Sequence, residues 1–205
     1  MNKRVNEPLR ASMKTLLYIH GFNSSELSHK ATVLSDAAER KGQIDRIISP
    51  RLSWQPALAI KQLEVIIEEK QSQGITLIGS SLGGFYAAYL AEKYSIKAIL
   101  VNPAVQAPIL LKNHLGLQTN PYTNEEYELT LAHMLELEKL IITKPTAELY
   151  WLMLQEGDEV LDYREALKAF PQVSRLTHEQ GGDHRFIGFE RFTEEILRFA
   201  EIIID

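Results

Sequence analysis

Gly79-Ser80-Ser81-Leu82-Gly83 sets a serine hydroxyl between glycines two positions before and two positions after it. A serine flanked in this way fits a sharp turn from a strand into a helix, with its hydroxyl clear of the backbone and free to attack a carbonyl carbon. The pattern alone is weak. With Gly and Ser each at a usage of about 7%, roughly one chain in fifteen of this length would carry it by chance. Its setting strengthens it, because Ile75–Ile78 reads as a strand and Phe85–Glu92 as helix. Ser80 is a rival nucleophile, but only Ser81 has glycine at both flanking positions.

A serine hydroxyl needs a base to take its proton, and the base needs an acid to hold it in the right tautomer. Of the six histidines, only His178 and His184 follow the fifth of the strands assigned below. His184 lies in Gly181-Gly182-Asp183-His184, a loop past the end of a strand that can reach back to Ser81. His178 reads better as a strand-end residue. The acid is expected after the fifth strand, in Gln155-Glu156-Gly157-Asp158-Glu159, where Asp158 follows a glycine able to turn the chain. Glu159 and Asp162 are alternatives that read as solvated carboxylates at a helix start. Asp183 is the immediate neighbour of His184, so its side chain points away from the imidazole. Two backbone N–H groups are expected to face the developing oxyanion: that of Leu82, just after the serine, and that of Phe22, in the loop His20-Gly21-Phe22. His20 precedes Ser81 and is expected to brace that loop.

The surrounding elements must bring these residues together. Leu16–Ile19, Ile44–Ile48, Ile75–Ile78, Ala98–Val101, Leu149–Leu154 and Val173–Thr177 read as six short strands. They alternate with helical patterns over Leu27–Lys41, Pro56–Gln71, Leu82–Tyr94 and Tyr163–Phe170. A last helix carries Phe189, Phe192, Ile196, Phe199 and Ile203 at steps of three and four. Such alternation predicts an α/β fold, with a mostly parallel sheet and helices on both faces. Ligands of such sheets bind beyond the carboxyl ends of the strands. Residues 104–144 interrupt the alternation and show no clear strand. Thr123-x-x-Glu126 reads as a capping box opening a helix through about Ile142. That insertion is either a cap over the site or an ordinary packing helix. As a cap, it would line a modest substrate pocket with Tyr127, Leu131, Met134 and Leu135.

Whole-chain properties bound the function. The 205 residues are 45% hydrophobic and 24% charged, which suits one domain over 13–205 behind a polar, aperiodic leader at 1–12. A net charge of −5 with no Lys/Arg run argues against a nucleic-acid partner. No run approaches the ~20 apolar residues of a membrane span. With no cysteine in the chain, disulfides, thiolate metal sites and a cysteine nucleophile are excluded. The expectation is a soluble cytoplasmic protein acting on a small molecule.

Tyr18-Ile19-His20-Gly21-Phe22-Asn23-Ser24-Ser25 resembles the start of the YqiA-like bacterial esterases. Further on, GSSLGG at Gly79–Gly84, VNPAV at Val101–Val105, NPYT at Asn120–Thr123, GDEVLDYR at Gly157–Arg164 and GFE at Gly188–Glu190 are similar to that family in the same order. The resemblance implies an α/β-hydrolase fold and a catalytic triad on Ser81, Asp158 and His184. It also implies hydrolysis of carboxylic esters, with acyl-CoA thioesters as an alternative substrate class. Asp183 and Arg185, which flank His184, depart from the family's pattern. An esterase is expected to work through an acyl-enzyme on short-to-medium acyl chains, with no cofactor and no metal. A thioesterase would use the same triad and would need cations for the CoA phosphates, with Arg51, Lys112 and Arg185 as candidates. The third reading, a non-catalytic binding protein on a hydrolase scaffold, leaves the Ser–Asp–His set without a use.

Overall fold

A computed structural model describes residues 13–203; the leader expected at 1–12 lies outside them. Six strands form one parallel sheet: β1 (Thr15–Ile19), β2 (Ile47–Ile48), β3 (Ile75–Ser81), β4 (Ala98–Pro103), β7 (Tyr150–Gln155) and β8 (Arg175–Glu179), in the spatial order β2-β1-β3-β4-β7-β8. Residues alternate between its faces, and both faces are covered. Leu17 and Ile19 pack under α2 (Pro56–Lys70) and α3 (Leu82–Tyr94). Leu16 and Tyr18 pack under α1 (His29–Arg40) and α7 (Thr193–Phe199). This double coverage is why the strands read as continuous apolar runs.

The chain leaves β1 toward β2 on one side, then returns to β3 on the other. The carboxyl ends of β1 and β3 therefore flank the crevice where such a sheet offers a ligand site. β3 runs straight into α3 at Ser81, whose backbone has φ 56° and ψ −121°. Nine α3 residues from Leu82 to Ala91 are buried, so the helix is held down along its length. The glycines around Ser81 allow the contact. A Cβ on Gly83 would stand 2.0 Å from the Ile19 carbonyl oxygen, and one on Gly79 would stand 2.1 Å from the Gly83 carbonyl oxygen.

Most expected elements are present, with shifted ends. Of the second strand, only Ile47 and Ile48 pair with β1, because Ile44–Arg46 form a 3-10 turn and Pro50 has no amide with which to extend the ladder. The sixth strand starts two residues late, at Arg175, because the Ser174 amide bonds the Ala147 carbonyl instead. The last helix begins as a 3-10 turn, Phe189–Phe192, before α7.

The insertion differs most. In place of the long helix expected from Thr123 the structure has β6 (Glu126–Leu129), paired antiparallel with β5 (Gly116–Thr119), and the short α5 (Leu131–Glu138), with a further short helix, α4 (Ala107–Leu111), ahead of them. The side-chain oxygen of Asn120 accepts the amides of Tyr122 and Thr123, and Asn124 sits at φ 56°, so the chain turns back where a helix was expected. The helix cap is Thr130, boxed with His133, rather than Thr123 with Glu126. α5 packs on α2 and α4.

The Gly83 contact is backbone on backbone, so Gly83→Ala should cost more than about 3 kcal/mol in denaturant unfolding. Gly42→Ala, at φ 68° with open space around it, should cost only about 1 kcal/mol.

Candidate active site

Ser81 closes β3, Asp158 follows β7, and His184 lies in the loop after β8. The His184 Nε2 is 3.1 Å from the Ser81 Oγ, and its Nδ1 is 3.0 Å and 2.9 Å from the two carboxylate oxygens of Asp158. A carboxylate accepts hydrogen bonds, so the arrangement suits an Nδ1–H aimed at Asp158, which in a neutral ring leaves the Nε2 lone pair for the serine hydroxyl. The Asp158 side chain is 2% exposed. It also accepts the amides of Val160 and Leu161, at 2.9 Å and 2.8 Å. Gly157 serves by close approach rather than by a turned backbone: its amide bonds the Gly181 carbonyl, and a Cβ there would meet the Gly182 carbonyl oxygen at 2.4 Å.

The rival residues have other partners. Glu159 accepts the His184 backbone amide, and Asp162 caps α6 (Tyr163–Ala169) by accepting the Arg164 amide. Asp183 pairs with Arg185, and His178 pairs with Glu156. Ser80 is buried and lines the same cavity as Ser81, but the imidazole reaches Ser81.

The loop after β1 lies directly against the serine. A Cβ on Gly21 would be 3.3 Å from the Ser81 Cβ and 3.8 Å from its Oγ. Phe22 follows on this loop and lines the Ser81 cavity. Leu82 is the first residue of α3, so its amide has no intrahelical acceptor. His20 braces the loop: Nδ1 bonds the Gly21 carbonyl and Nε2 accepts the Leu52 amide. Burial, opposed by the Gly21 hydrogen bond, holds His20 below its ordinary value and favours the neutral ring that this pattern requires.

The cavity beside Ser81 has a volume of about 520 Å³, and its walls are the loop at Gly21–Ser24, the start of α1, Tyr122 and the chain at Arg185–Gly188. The four residues expected to line it lie elsewhere. Tyr127 and Met134 are buried in the core, while Leu131 and Leu135 are exposed. With the long helix replaced by a hairpin and a short helix, β6 turns Tyr127 and Leu129 inward, and α5 buries Met134 and Leu137 instead. Tyr127 has a bracing role. Its ring stacks on Trp54 at 4.6 Å, and its hydroxyl donates to the Asn23 side chain at 2.6 Å. Asn120 donates to the Ser24 carbonyl at 2.9 Å, so residues of the 104–144 segment hold the loop after β1 at two points.

Two residues that the sequence reading did not single out hold the His184 loop. Asn102, at the end of β4, donates to the carbonyls of Asp183 and His184 and accepts the Gln155 amide. Gln155, at the end of β7, accepts the amides of Asp183 and Ile187 and donates to the Ile187 carbonyl and to Glu179. Both side chains are buried. The available signal was a polar residue closing each of two otherwise apolar strands.

A profile of the family described as an uncharacterised protein family, UPF0227, matches residues 15–201. Among solved structures, the chain is similar to Est1E from Butyrivibrio proteoclasticus with ferulic acid bound, at TM-score 0.66 and 14% identity over 92% of this chain and 88% of that one. It is similar to α/β hydrolase domain-containing protein 10 from mouse, at TM-score 0.69 and 16% identity over 97% and 92%. It is also similar to a monoacylglycerol lipase from Paleococcus ferrophilus, at TM-score 0.64 and 14% identity over 90% and 93%. At these identities the likeness establishes the fold, which is that of the α/β hydrolases.

Gln155→Leu strips partners from several polar groups in the His184 loop and should cost about 2–4 kcal/mol in denaturant unfolding. His20 generates a pH dependence with a definite sign. Its lowered value in the folded state means that its contribution to stability is complete above the ordinary 6.5 and is lost as pH falls from there through the lowered value. Thermal unfolding from pH 7.5 to 5 should show this loss, at no more than about 1.4 kcal/mol per pH unit from this group. His20→Gln should flatten that part of the curve.

Proposed function

The chain belongs to the uncharacterised protein family UPF0227, and from that premise we propose that it is a serine hydrolase cleaving carboxylic esters through an acyl-enzyme on Ser81. The observation that carries the reading is the continuous chain of hydrogen bonds from Ser81 through His184 to the buried Asp158 carboxylate. His184 Nε2 takes the hydroxyl proton as Ser81 Oγ attacks the carbonyl carbon. The backbone N–H groups of Leu82 and Phe22 face the oxyanion. The tetrahedral species collapses, His184 returns the proton to the leaving alcohol, and the acyl group stays on Ser81. Water, activated by the same imidazole, then releases the acid and restores the hydroxyl. Asp158 stays ionised throughout and stabilises the imidazolium.

The size of the cavity supports a preference for short-to-medium acyl chains, because about 520 Å³ lies within the usual range for small-molecule sites. Each bound methylene adds about 0.8 kcal/mol only while there is room for it. In the same reading, residues 13–205 act as one hydrolase domain with 104–144 as its cap.

Steady-state kinetics on p-nitrophenyl esters of increasing chain length test the proposal. Ser81→Ala should abolish turnover, while Ser80→Ala should keep most of it. Asp158→Asn should lower kcat by about 10⁴, the cost of the same change in a well-studied triad, and Asp162→Asn should cost little. The specificity constant should rise with chain length and then fall. Wild-type turnover in Ser81→Ala would overturn the nucleophile assignment, and a steady rise through long chains would overturn the size preference.

A further inference from the structure

The cavity that holds Ser81 and His184 also contains a cation that ester cleavage as such does not need. Lys30, in the first turn of α1, lines this cavity although it is only 9% exposed. Among the described residues its ammonium has no hydrogen bond and no ion pair, and the contact it does make is with the ring of Phe189, 5.9 Å from the centroid. Two carboxylates act on it from a distance, Asp183 and Asp158, and both are already engaged. Asp183 accepts the backbone amide of Arg185 and both Nε and Nη2 of its guanidinium. Asp158 accepts from His184 and from two backbone amides. Arg185, paired with Asp183, lies on the same wall.

The placement is unfavourable for folding on two counts. Burying an ammonium without a partner is costly, and the N-terminus of a helix repels a cation. The carboxylates of Asp183 and Asp158 offset part of this without touching the ammonium, and the helix start itself offers nothing. The first turn of α1 has no acidic residue, and no side chain caps the helix; the hydroxyl of Ser28, its N-cap residue, donates to the Tyr18 oxygen instead. Burial draws the Lys30 ammonium down to about 8, against the opposing pull of the Asp183 and Asp158 carboxylates. Ser28, His29 and Lys30 all face the Ser81 cavity, so the open amides of the helix start and the buried ammonium border the same space. Such a pairing binds carboxylate or phosphate oxygens.

We infer that the ester cleaved at Ser81 carries an anionic group, a carboxylate or a phosphate, held by Lys30 and the first turn of α1. This rests on the serine-hydrolase reading and names the substrate class for it.

Matched ester pairs, assayed at pH 7 with the full chain, test the inference. The pair p-nitrophenyl hemiglutarate and p-nitrophenyl hexanoate places the charge on the acyl side. The pair 4-carboxyphenyl butyrate and 4-(methoxycarbonyl)phenyl butyrate places it on the alcohol side. In at least one pair the anionic ester should have a kcat/KM at least about tenfold above its neutral partner, as one charge-assisted contact provides. The gain should lie mainly in KM and should fall at least about fivefold in Lys30→Met. Turnover of the neutral esters reports whether the variant still folds its site. Inorganic phosphate and glutarate, added to the neutral-ester assay, distinguish the two anions by a competitive inhibition that Lys30→Met weakens. No anionic preference in either pair, or one that Lys30→Met leaves intact, overturns the inference. In that case Ser81-dependent turnover of the neutral esters would leave the serine-hydrolase reading standing. Absence of Ser81-dependent turnover with every ester overturns both.

Discussion

The backbone of Ser81 sits at φ 56° and ψ −121°, in a region that a residue with a Cβ rarely occupies, at a cost of about 1–3 kcal/mol. Everything around the site is arranged to hold that turn. β3 is flanked by β1 and β4 in the parallel sheet, and α3 is buried along most of its length. Burying a side chain such as Phe85 or Leu90 contributes about 1.5–3 kcal/mol each, so a few α3 residues outweigh the strain. The contact is possible only because strand and helix meet as bare backbone at Gly79 and Gly83. The sharp turn that exposes the hydroxyl and the close packing that stabilises it are one constraint.

The other two polar residues reach the serine from separate loops, and loops need their own restraint. Asp158 is fixed from its own segment by the amides of Val160 and Leu161. His184 hangs on a longer connection, and its position depends on Asn102 and Gln155, buried side chains at the ends of neighbouring strands. Because both are buried and satisfied, moving the loop would strand several polar groups, a penalty of about 1–3 kcal/mol for each. The same logic applies across the crevice, where His20, Tyr127 and Asn120 hold the loop that carries Phe22. The site is a set of loops made rigid by buried hydrogen bonds rather than by extra core.

Much of this was legible in the sequence. Ser81, Asp158 and His184 stand where glycine spacing and element order place them, because the turn at Ser81 requires small neighbours whatever the rest of the chain does. The apolar runs Leu16–Ile19 and Ile75–Ile78 announced strands because both faces of the sheet are covered. The insertion was misread for a physical reason. Its apolar residues Tyr127, Leu131, Met134 and Leu135 fit a helical period, but the asparagine side chain at Asn120 and the left-handed backbone at Asn124 reverse the chain ahead of Tyr127, which falls on β6, and the helix starts only at Leu131. Local side-chain-to-backbone bonds outweighed periodicity there. Asn102, Gln155 and Lys30 escaped because their meaning depends on which loop or cavity they face, and that is fixed only when β4, β7 and α1 are brought together.

The central claim is that Ser81 is a nucleophile activated by His184. Labelling of the intact protein with a fluorophosphonate, followed by peptide fragmentation, tests it most directly. The account predicts a single phosphonyl adduct that fragmentation places on Ser81 rather than Ser80. That adduct should be absent from Ser81→Ala and formed far more slowly in His184→Ala. An adduct on another residue, or labelling of equal extent and rate in Ser81→Ala, would contradict it.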